Sequence, residues 1–448
     1  MEISEFTKKL FEEGYKIGFS DMEIYYVDGE EFEVIAYDKA IDSYKINNNI
    51  GLSFRGIING KMGYAYTERF EEDDIVFLVT SGVQNAKESQ SDVDVSIFCG
   101  SKEYKMLLSR ELKDVEISKK IHDALKMEEE ALQFDDSIKS VRYCLVSTEK
   151  RKRKIINTKG LDLEESAGFA VAYLSLVADN GEEVKSGRKF MINTDYKGID
   201  YKKIVKSAVH EAISRFEAKS IASGKYKIIL RRDVASSLLA TFSSIFSSDA
   251  TQKGLSLLRG KVDTKIACET LNIIDNPFYK EAPLCYSFDD EGVATFEKHI
   301  IKDGILKTLL YNVTTGRKEG VESTGNGFKS SYKSLVGIAP SNLYIVPGTR
   351  SYEDAIESMD NALIITELSG LHSGANAVSG DFSLAAEGLL VQNGKIVRAI
   401  EQITVADNFY KVMTNIEEVL SDFEFNIPPV ASFGSASLIV SEMYISGE

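Results

Sequence analysis

The stretch ASGKYKIILRRDVASSLLATFSSIF, residues 222–246, decides how the chain is divided. Just upstream, residues 200–221 place Ile204, Ala208, Ile213 and Phe216 at helical spacing. Gly224 breaks that helix, and KYKIIL (225–230) then reads as a strand. Val234, Leu238, Phe242, Ile245 and Phe246 follow at the spacing of an amphipathic helix, with Asp233 as its candidate N-cap. A helix that ends, a strand and then a new helix mark a domain boundary near residue 223, giving domains 1–223 and 224–448. A chain of 448 residues has room for this division, at roughly 100–200 residues per domain.

Upstream of the boundary, MEISEFTKKLFEEGYKIGFS (1–20) reads as an amphipathic helix with Ile3, Phe6, Leu10, Phe11 and Tyr15 on one face. MEIYYV, EFEVIAY, IGLSFRGII and KMGYAYT, within residues 22–67, read as short strands separated by Gly, Asp and Asn turns. Residues 71–88 and 104–134 carry helical patterns, and IKSVRYCLVSTEKRKRKIINTKGLDLEE (138–165) reads as two strands joined by a tight charged turn. Downstream, KDG (302–304) and QNG (392–394) sit between apolar runs as hairpin turns. The expected class is α+β: a mixed α/β N-terminal domain, then a large, mostly antiparallel β-rich C-terminal domain with one prominent helix.

The charge balance, 53 basic against 69 acidic residues, gives a net charge of −16 and argues against nucleic acid or an anionic membrane as a partner. The N-terminus lacks an apolar signal segment, and no stretch approaches the ~18 apolar residues of a membrane span. The expected location is therefore cytoplasmic. Cys99, Cys144, Cys268 and Cys285 form no C-x-x-C pair and are expected as reduced thiols, mostly buried.

Several motifs suggest chemistry and fall short of it. His210-Glu211 opens like a zinc-protease helix, but Ser214 and Arg215 stand where the second His would be needed. GVESTGNG (320–327) imitates a phosphate loop without its Lys, and GLHSG (370–374) places its Ser one position late for a nucleophile elbow. The basic run Lys150–Lys154 between strands reads as a solvated turn or edge guard. Three Gly-rich polar segments remain: SFDDEG (287–292), STGNG (323–327) and NAVSGDFS (376–383). Each alone is turn chemistry; together they could converge at a sheet end and shape a cleft. His372 is the one His in such a loop.

The order IIDNPF, SFDDEGVAT, IIKDGILKTLLYNVTTGRK, STGNG, SNLYIVPGT, SGDFSLAAEGLLVQNGKI, ITVADNFYKVM resembles the TldD/PmbA family, once called modulators of DNA gyrase, and within it the PmbA/TldE branch. The resemblance runs through nearly the whole chain. In that family the TldD-type subunit carries H-E-x-x-x-H on the helix that opens the C-terminal domain, with a downstream Cys completing the metal site. By resemblance, Ala240, Thr241 and Ile245 stand at the His, Glu and His here, and the region of the Cys offers His372 instead. The resemblance implies a non-catalytic subunit of a two-subunit metalloprotease acting on unfolded or small peptides. No catalytic or metal-ligating residue is assigned to this chain; zinc is expected in a TldD-like partner, and self-association into a homodimer stays open. Asp289, Asp290, Thr324, Asn326, His372, Asp381 and Ser383 are the expected peptide-lining residues. The competing readings are a self-sufficient metallopeptidase with an unrecognised metal site, and a protein-binding regulator of a DNA enzyme such as gyrase.

Overall fold

The computed structural model describes residues 1–88, 95–105, 111–426 and 431–448. In the first half α1 (Ile3–Ile17) leads into β1 (Asp21–Tyr37), β2 (Ala40–Ile58), β3 (Lys61–Thr67) and α2 (Glu72–Glu88). Then come α3 (Ile117–Phe134), β4 (Ile138–Asn157), β5 (Asp162–Asp179), β6 (Val184–Asn193) and α4 (Tyr201–Ile213). All six strands form one antiparallel sheet in the order β3-β2-β1-β4-β5-β6.

Strand alternation assigns the two faces of this sheet. Met22, Ile24, Leu52 and Phe54 pack with Phe6 and Leu10 of α1 and Leu78 of α2. On the same face, Phe32, Val34, Cys144, Ala170 and Leu174 pack with Met127 of α3 and Val205 of α4. The opposite face carries Tyr25, Val27, Ile155, Phe169 and Val171, and it packs against Leu284, Tyr286, Phe288 and Phe328 of the second half. The sheet is therefore a middle layer between four helices and the C-terminal half.

The second half runs β7 (Gly224–Leu230), α5 (Arg232–Phe242), a 3-10 turn (Ser243–Phe246), α6 (Ser248–Gln252), β8 (Ile273–Asp275), β9 (Lys298–Lys302), β10 (Ile305–Leu306), α7 (Val313–Glu319) and β11 (Asn342–Ile345). It continues through α8 (Tyr352–Glu357), β12 (Asn361–Ser369), α9 (Leu371–Gly374), β13 (Asp381–Gln392), β14 (Lys395–Asn408) and α10 (Phe409–Asn415). β15 (Ile416–Val419), β16 (Glu424–Phe425), β17 (Ser432–Ser435) and β18 (Leu438–Ser446) complete it. One sheet has the order β10-β9-β8-β11-β17-β16; the other has β14-β13-β12-β7-β18-β15, and an added β14–β18 pairing joins Thr404–Ala406 to Tyr444–Ser446 and closes it on itself. Most pairings are antiparallel, and β7–β12 and β11–β17 are parallel. The α+β expectation holds.

The local differences from the sequence reading have physical causes. β1 is one strand from residue 21 to 37, because Gly29 stays in the ladder opposite Asn49 and makes no turn. β4 likewise runs unbroken through Lys150–Lys154, and the turn comes later, at Thr158–Gly160. α3 begins at Ile117 rather than near 104, with 106–110 outside the described residues. α5 begins two residues earlier than an Asp233 N-cap would have it, with Arg231 at its N-cap; Asp233 lies in the first turn and takes two hydrogen bonds from Arg231. Tyr15 is exposed, off the buried face of α1. The KDG and QNG hairpins form as expected, with Asp303-Gly304 and Asn393-Gly394 at positive φ. Of the four free cysteines, Cys144 and Cys285 are buried and Cys99 is exposed.

Candidate functional site

α5 is fastened at its start. The Arg231 guanidinium bonds Asp233 and the Thr366 carbonyl, and Arg232 bonds Glu424 and Asp422. Its apolar face, Val234, Leu238, Leu239 and Phe242, enters the core of the second half. Ala240 packs against that core, and Ile245 in the following 3-10 turn is fully buried within it. The Thr241 hydroxyl donates to the Ser237 carbonyl at 2.8 Å. Two methyl-bearing side chains and one hydroxyl engaged by its own helix do not fit a zinc ion, which takes imidazole, thiolate or carboxylate donors. Among the described residues no group of three or more His, Cys, Asp or Glu is placed to hold a metal.

Phe242 stacks on Phe409 of α10 at 4.6 Å and meets Phe382 of β13 at 6.0 Å, which seats the 370–383 loop beside the end of α5. His372, on the one-turn α9, is exposed. The Asn376 side chain accepts from Val378 N and Ser379 N and shapes the loop. Asp381 and Ser383 are also exposed, and hydrogen bonds from Asn408 and Ser379 hold the Asp381 carboxyl below its usual range. The Tyr410 ring lies against Gly380, where a Cβ would come within 2.6 Å of it. Beyond Tyr410 opens a groove of about 690 Å³ lined by Leu257, Leu258, Ile266, Cys268, Tyr410 and Thr414. Lys261, Lys265 and Glu269 also border it. A mostly apolar groove with a few polar groups suits an extended peptide better than a phosphate or a sugar.

The other four expected lining residues lie elsewhere, under the N-terminal sheet, and are buried. SFDDEG and STGNG do come together. Gly327 N donates to Asp289 Oδ2 at 2.8 Å, and Asp290 N donates to the Gly327 carbonyl at 2.9 Å. Asp290 receives Arg153 through one oxygen and Lys329 N through the other. Thr324 Oγ1 donates to Asn326 Oδ1, and Asn326 Nδ2 donates to Asp275 Oδ2 at 2.8 Å. Among the described residues the side-chain hydrogen bonds of NAVSGDFS run within its own loop and to Asn408, so it does not join the other two segments in one cleft. Burial and the neighbouring Glu291 carboxylate hold the Asp289 carboxyl well above its usual range. Burial also raises Asp275, but Lys298 with Asn326 and Ser341 outweighs it, and the net shift is downward.

The Lys150–Lys154 run is the clearest correction. Within a strand its residues alternate faces. Arg151 and Arg153 turn toward the second half, where Arg153 pairs with Glu165 and Asp290 over the Phe288 ring at 4.6 Å. Lys150, Lys152 and Lys154 turn the other way and pair with Asp114, Glu164 and Asp162. Around Arg153 sit groups that the sequence did not single out. Arg55 joins Glu23 at 2.7 Å and Glu291 at 3.3 Å, and Lys329 Nζ reaches Ser53 Oγ at 2.7 Å. Burial and Arg55 push the Lys329 ammonium down to about 8. The available signal was period two: K-R-K-R-K in a long strand buries every second cation, which needs a carboxylate across the interface. His210 packs its ring edge-on to Phe134, and Glu211 binds Arg231, Arg215 and Arg188 N, so this pair serves the helix surface.

Sequence signatures of the PmbA/TldA metallopeptidases match in order: domain 1 at residues 22–86, the central domain at 110–216 and the C-terminal domain at 223–447. The chain belongs to the PmbA/TldA metallopeptidase family. A metalloprotease of Methanothermobacter thermautotrophicus is 25% identical over 406 residues, which is 88% of this chain and 86% of that one. Among solved structures, a proposed modulator of a DNA gyrase from Thermotoga maritima superposes with a TM-score of 0.90 at 30% identity, covering 99% of this chain and all of that one. TldE from Thermococcus kodakarensis also gives 0.90 over 99% of this chain, at 23% identity, a likeness of fold alone. The recognition made from the motif order therefore stands at the level of the PmbA/TldA family. No helix among the described residues is long and apolar enough to cross a membrane.

Proposed function

We propose that this chain is a TldE/PmbA-like, non-catalytic subunit of a two-subunit metallopeptidase that processes unfolded and small peptides in the cytoplasm. The observation that carries the proposal is α5. By resemblance Ala240, Thr241 and Ile245 stand at the His, Glu and His of a TldD-type subunit, and their side chains belong to the core or to the helix itself. The partner then supplies the zinc, a Lewis acid that lowers the pKa of bound water. This chain supplies the wall. The apolar groove beside Tyr410 takes peptide side chains, and His372, Asp381 and Ser383 at the loop face the peptide backbone. Asp289, Asp290, Thr324 and Asn326 act from beneath, by holding the 287–292 and 323–327 loops in shape, with Asp290 tied to Arg153 of the N-terminal sheet.

The test is hydrolysis of a fluorescence-quenched unfolded peptide by the purified chain, by a TldD-type subunit, and by the two mixed, with zinc measured in each. Cleavage by the mixture, none by this chain alone, and zinc only where the TldD-type subunit is present are expected. Tightly held stoichiometric zinc and cleavage by this chain alone would instead make it a self-sufficient peptidase. Native co-purification with gyrase and without a TldD-type chain would point to a regulator.

A further inference from the structure

The groove beside Tyr410 is walled by residues 255–268, which loop out between α6 and β8 and are pinned at three points. The Ser256 hydroxyl donates to the Ile245 carbonyl at 2.7 Å, Leu257 N donates to the Tyr410 hydroxyl at 3.3 Å, and Cys268 N donates to the Met413 carbonyl at 3.0 Å. The first pin ties the wall to the 3-10 turn after α5, and the other two tie it to α10. Leu258 and Ala267 are buried and form the floor. Leu257 stands on the lip at 58% exposed, and Leu255 and Val262 of the same segment are exposed beside it in sequence.

The charge of this segment runs against that of the protein. The whole chain carries 53 basic against 69 acidic residues, yet residues 253–265 hold Lys253, Arg259, Lys261 and Lys265 against the single acid Asp263. Asp263 is taken by Lys307, and Lys253 by Asp249. Lys265 pairs with Glu269, the one acid that borders the groove. Among the described residues, Lys261 on the groove and Arg259 just before it make no ion pair. Both are exposed. The groove therefore has an apolar floor and a cationic rim whose charge is not cancelled.

Long Lys and Arg stems lie along apolar surface while their heads stay in water, so these cations can bend over a chain seated in the groove. A free anion gains little at such a rim, because exposed charges are screened beyond about 8 Å at physiological salt. A peptide that places an apolar side chain on the floor brings the carboxylates of neighbouring residues inside that distance. Apolar contact then supplies the affinity, and the rim discriminates between acidic and basic neighbours. The groove's volume of about 690 Å³ gives room for the side chains of a short extended segment.

We infer that this groove selects acidic peptide segments. A Leu, Phe or other large apolar residue of the peptide sits over Leu258 and Ala267, and Asp or Glu on either side of it is met by Lys261 and Lys265, with Arg259 adding to the same field. A segment of equal apolar content flanked by Lys or Arg is disfavoured. The inference rests on the peptide-binding reading of the groove and adds the substrate class to it.

The test is binding of short peptides to the full chain, read as fluorescence anisotropy of a neutral label, so that it needs no hydrolysis. In one peptide Leu and Phe are flanked by Glu; in two matched peptides Gln or Lys replaces Glu. The Glu peptide is expected to bind roughly tenfold more tightly than the Lys peptide at low salt, with the Gln peptide between them and the ratio shrinking as salt rises. Lys261→Glu, an exposed substitution, is expected to abolish the preference with unchanged circular dichroism and melting temperature. Lys206→Glu makes the same charge change on the exposed side of α4 and is expected to keep it. Thr414→Trp, which fills the groove, is expected to weaken all three peptides. Equal binding of the Glu and Lys peptides, a preference that survives Lys261→Glu, or one lost equally with Lys206→Glu overturns the inference. So does Glu-peptide binding that Thr414→Trp leaves intact, or that a TldD-type subunit abolishes by covering the groove. The subunit role is read separately: cleavage by the two-subunit mixture without any Glu preference in binding sinks this inference alone, and a Glu preference in binding without cleavage by the mixture sinks the subunit role alone.

Discussion

Arg153 and Lys329 enter the same buried cluster with opposite consequences. Arg153 remains charged and is met by Glu165, Asp290 and two aromatic faces. Removing one partner leaves a buried charge incompletely paired, so Asp290→Ala should destabilise the fold by about 3–5 kcal/mol in denaturant unfolding. Lys329 has its ammonium pushed down to about 8 by burial and Arg55. The unfolded chain holds that proton up to about 10.4. Between those values the unfolded state binds more protons, so this residue adds stability as pH rises from about 8 to 10.4 and opposes folding most below 8. Lys329→Met should remove this slope, which is at most about 1.4 kcal/mol per pH unit for one proton, read as the difference between parent and variant unfolding curves. The sequence did mark the residues of this cluster in part. Asp289, Asp290 and Asn326 were visible as unusual polar positions, but polar loop residues look alike whether they face solvent or a buried arginine. What separates the two cases is the pairing of β4 with β1, a contact more than a hundred residues apart along the chain.

At the scale of single elements, α2 lies on β3 through two glycines. A Cβ on Gly63 would come within 2.0 Å of the Gly82 carbonyl oxygen, which is backbone and cannot swing aside. Gly63→Ala should therefore force α2 outward and cost about 1–3 kcal/mol, seen as a lower melting temperature. Neither glycine carried a recognisable signal, because close approach between elements is a tertiary property. Turns and caps were more legible. Asp303-Gly304 and Asn393-Gly394 adopt the positive φ values that their residue types favour. Charge runs were the least legible. K-R-K-R-K reads as a turn when every residue is assumed to be solvated, and as a strand once every second one is given a buried carboxylate. The α5 comparison belongs at this scale too. Thr241→Glu should leave the hydrolysis rate of the assembled two-subunit enzyme unchanged in the fluorescent-peptide assay, since in our proposal this helix closes a wall and transfers no proton.

For the molecule as a whole, the N-terminal sheet is completed by the C-terminal half. Tyr25, Val27, Phe169 and Val171 have their partners at Leu284, Tyr286, Phe288 and Phe328. A fragment of residues 1–223 should therefore expose this face and bind a hydrophobic dye such as ANS, whereas the intact chain does not. The same interface holds Arg55, Arg153 and Lys329 against Glu23, Asp290 and Glu291, so the halves should melt in one calorimetric transition. The α+β class was legible from the strand and helix patterns of the two halves. Their interlocking was not, because it depends on which face of each strand is turned inward.

β18 has a bearing on how the protein is made. It lies between β7 and β15 and also joins β14, so residues 438–446 are the closing seam of a sheet whose first strand is residues 224–230. During synthesis β7 waits with an unpaired edge until almost the entire second half has been translated. The C-terminal half thus reaches its native state only once residues 438–446 have been made, and a ribosome stalled before them would release a molecule whose sheet is still open to aggregation.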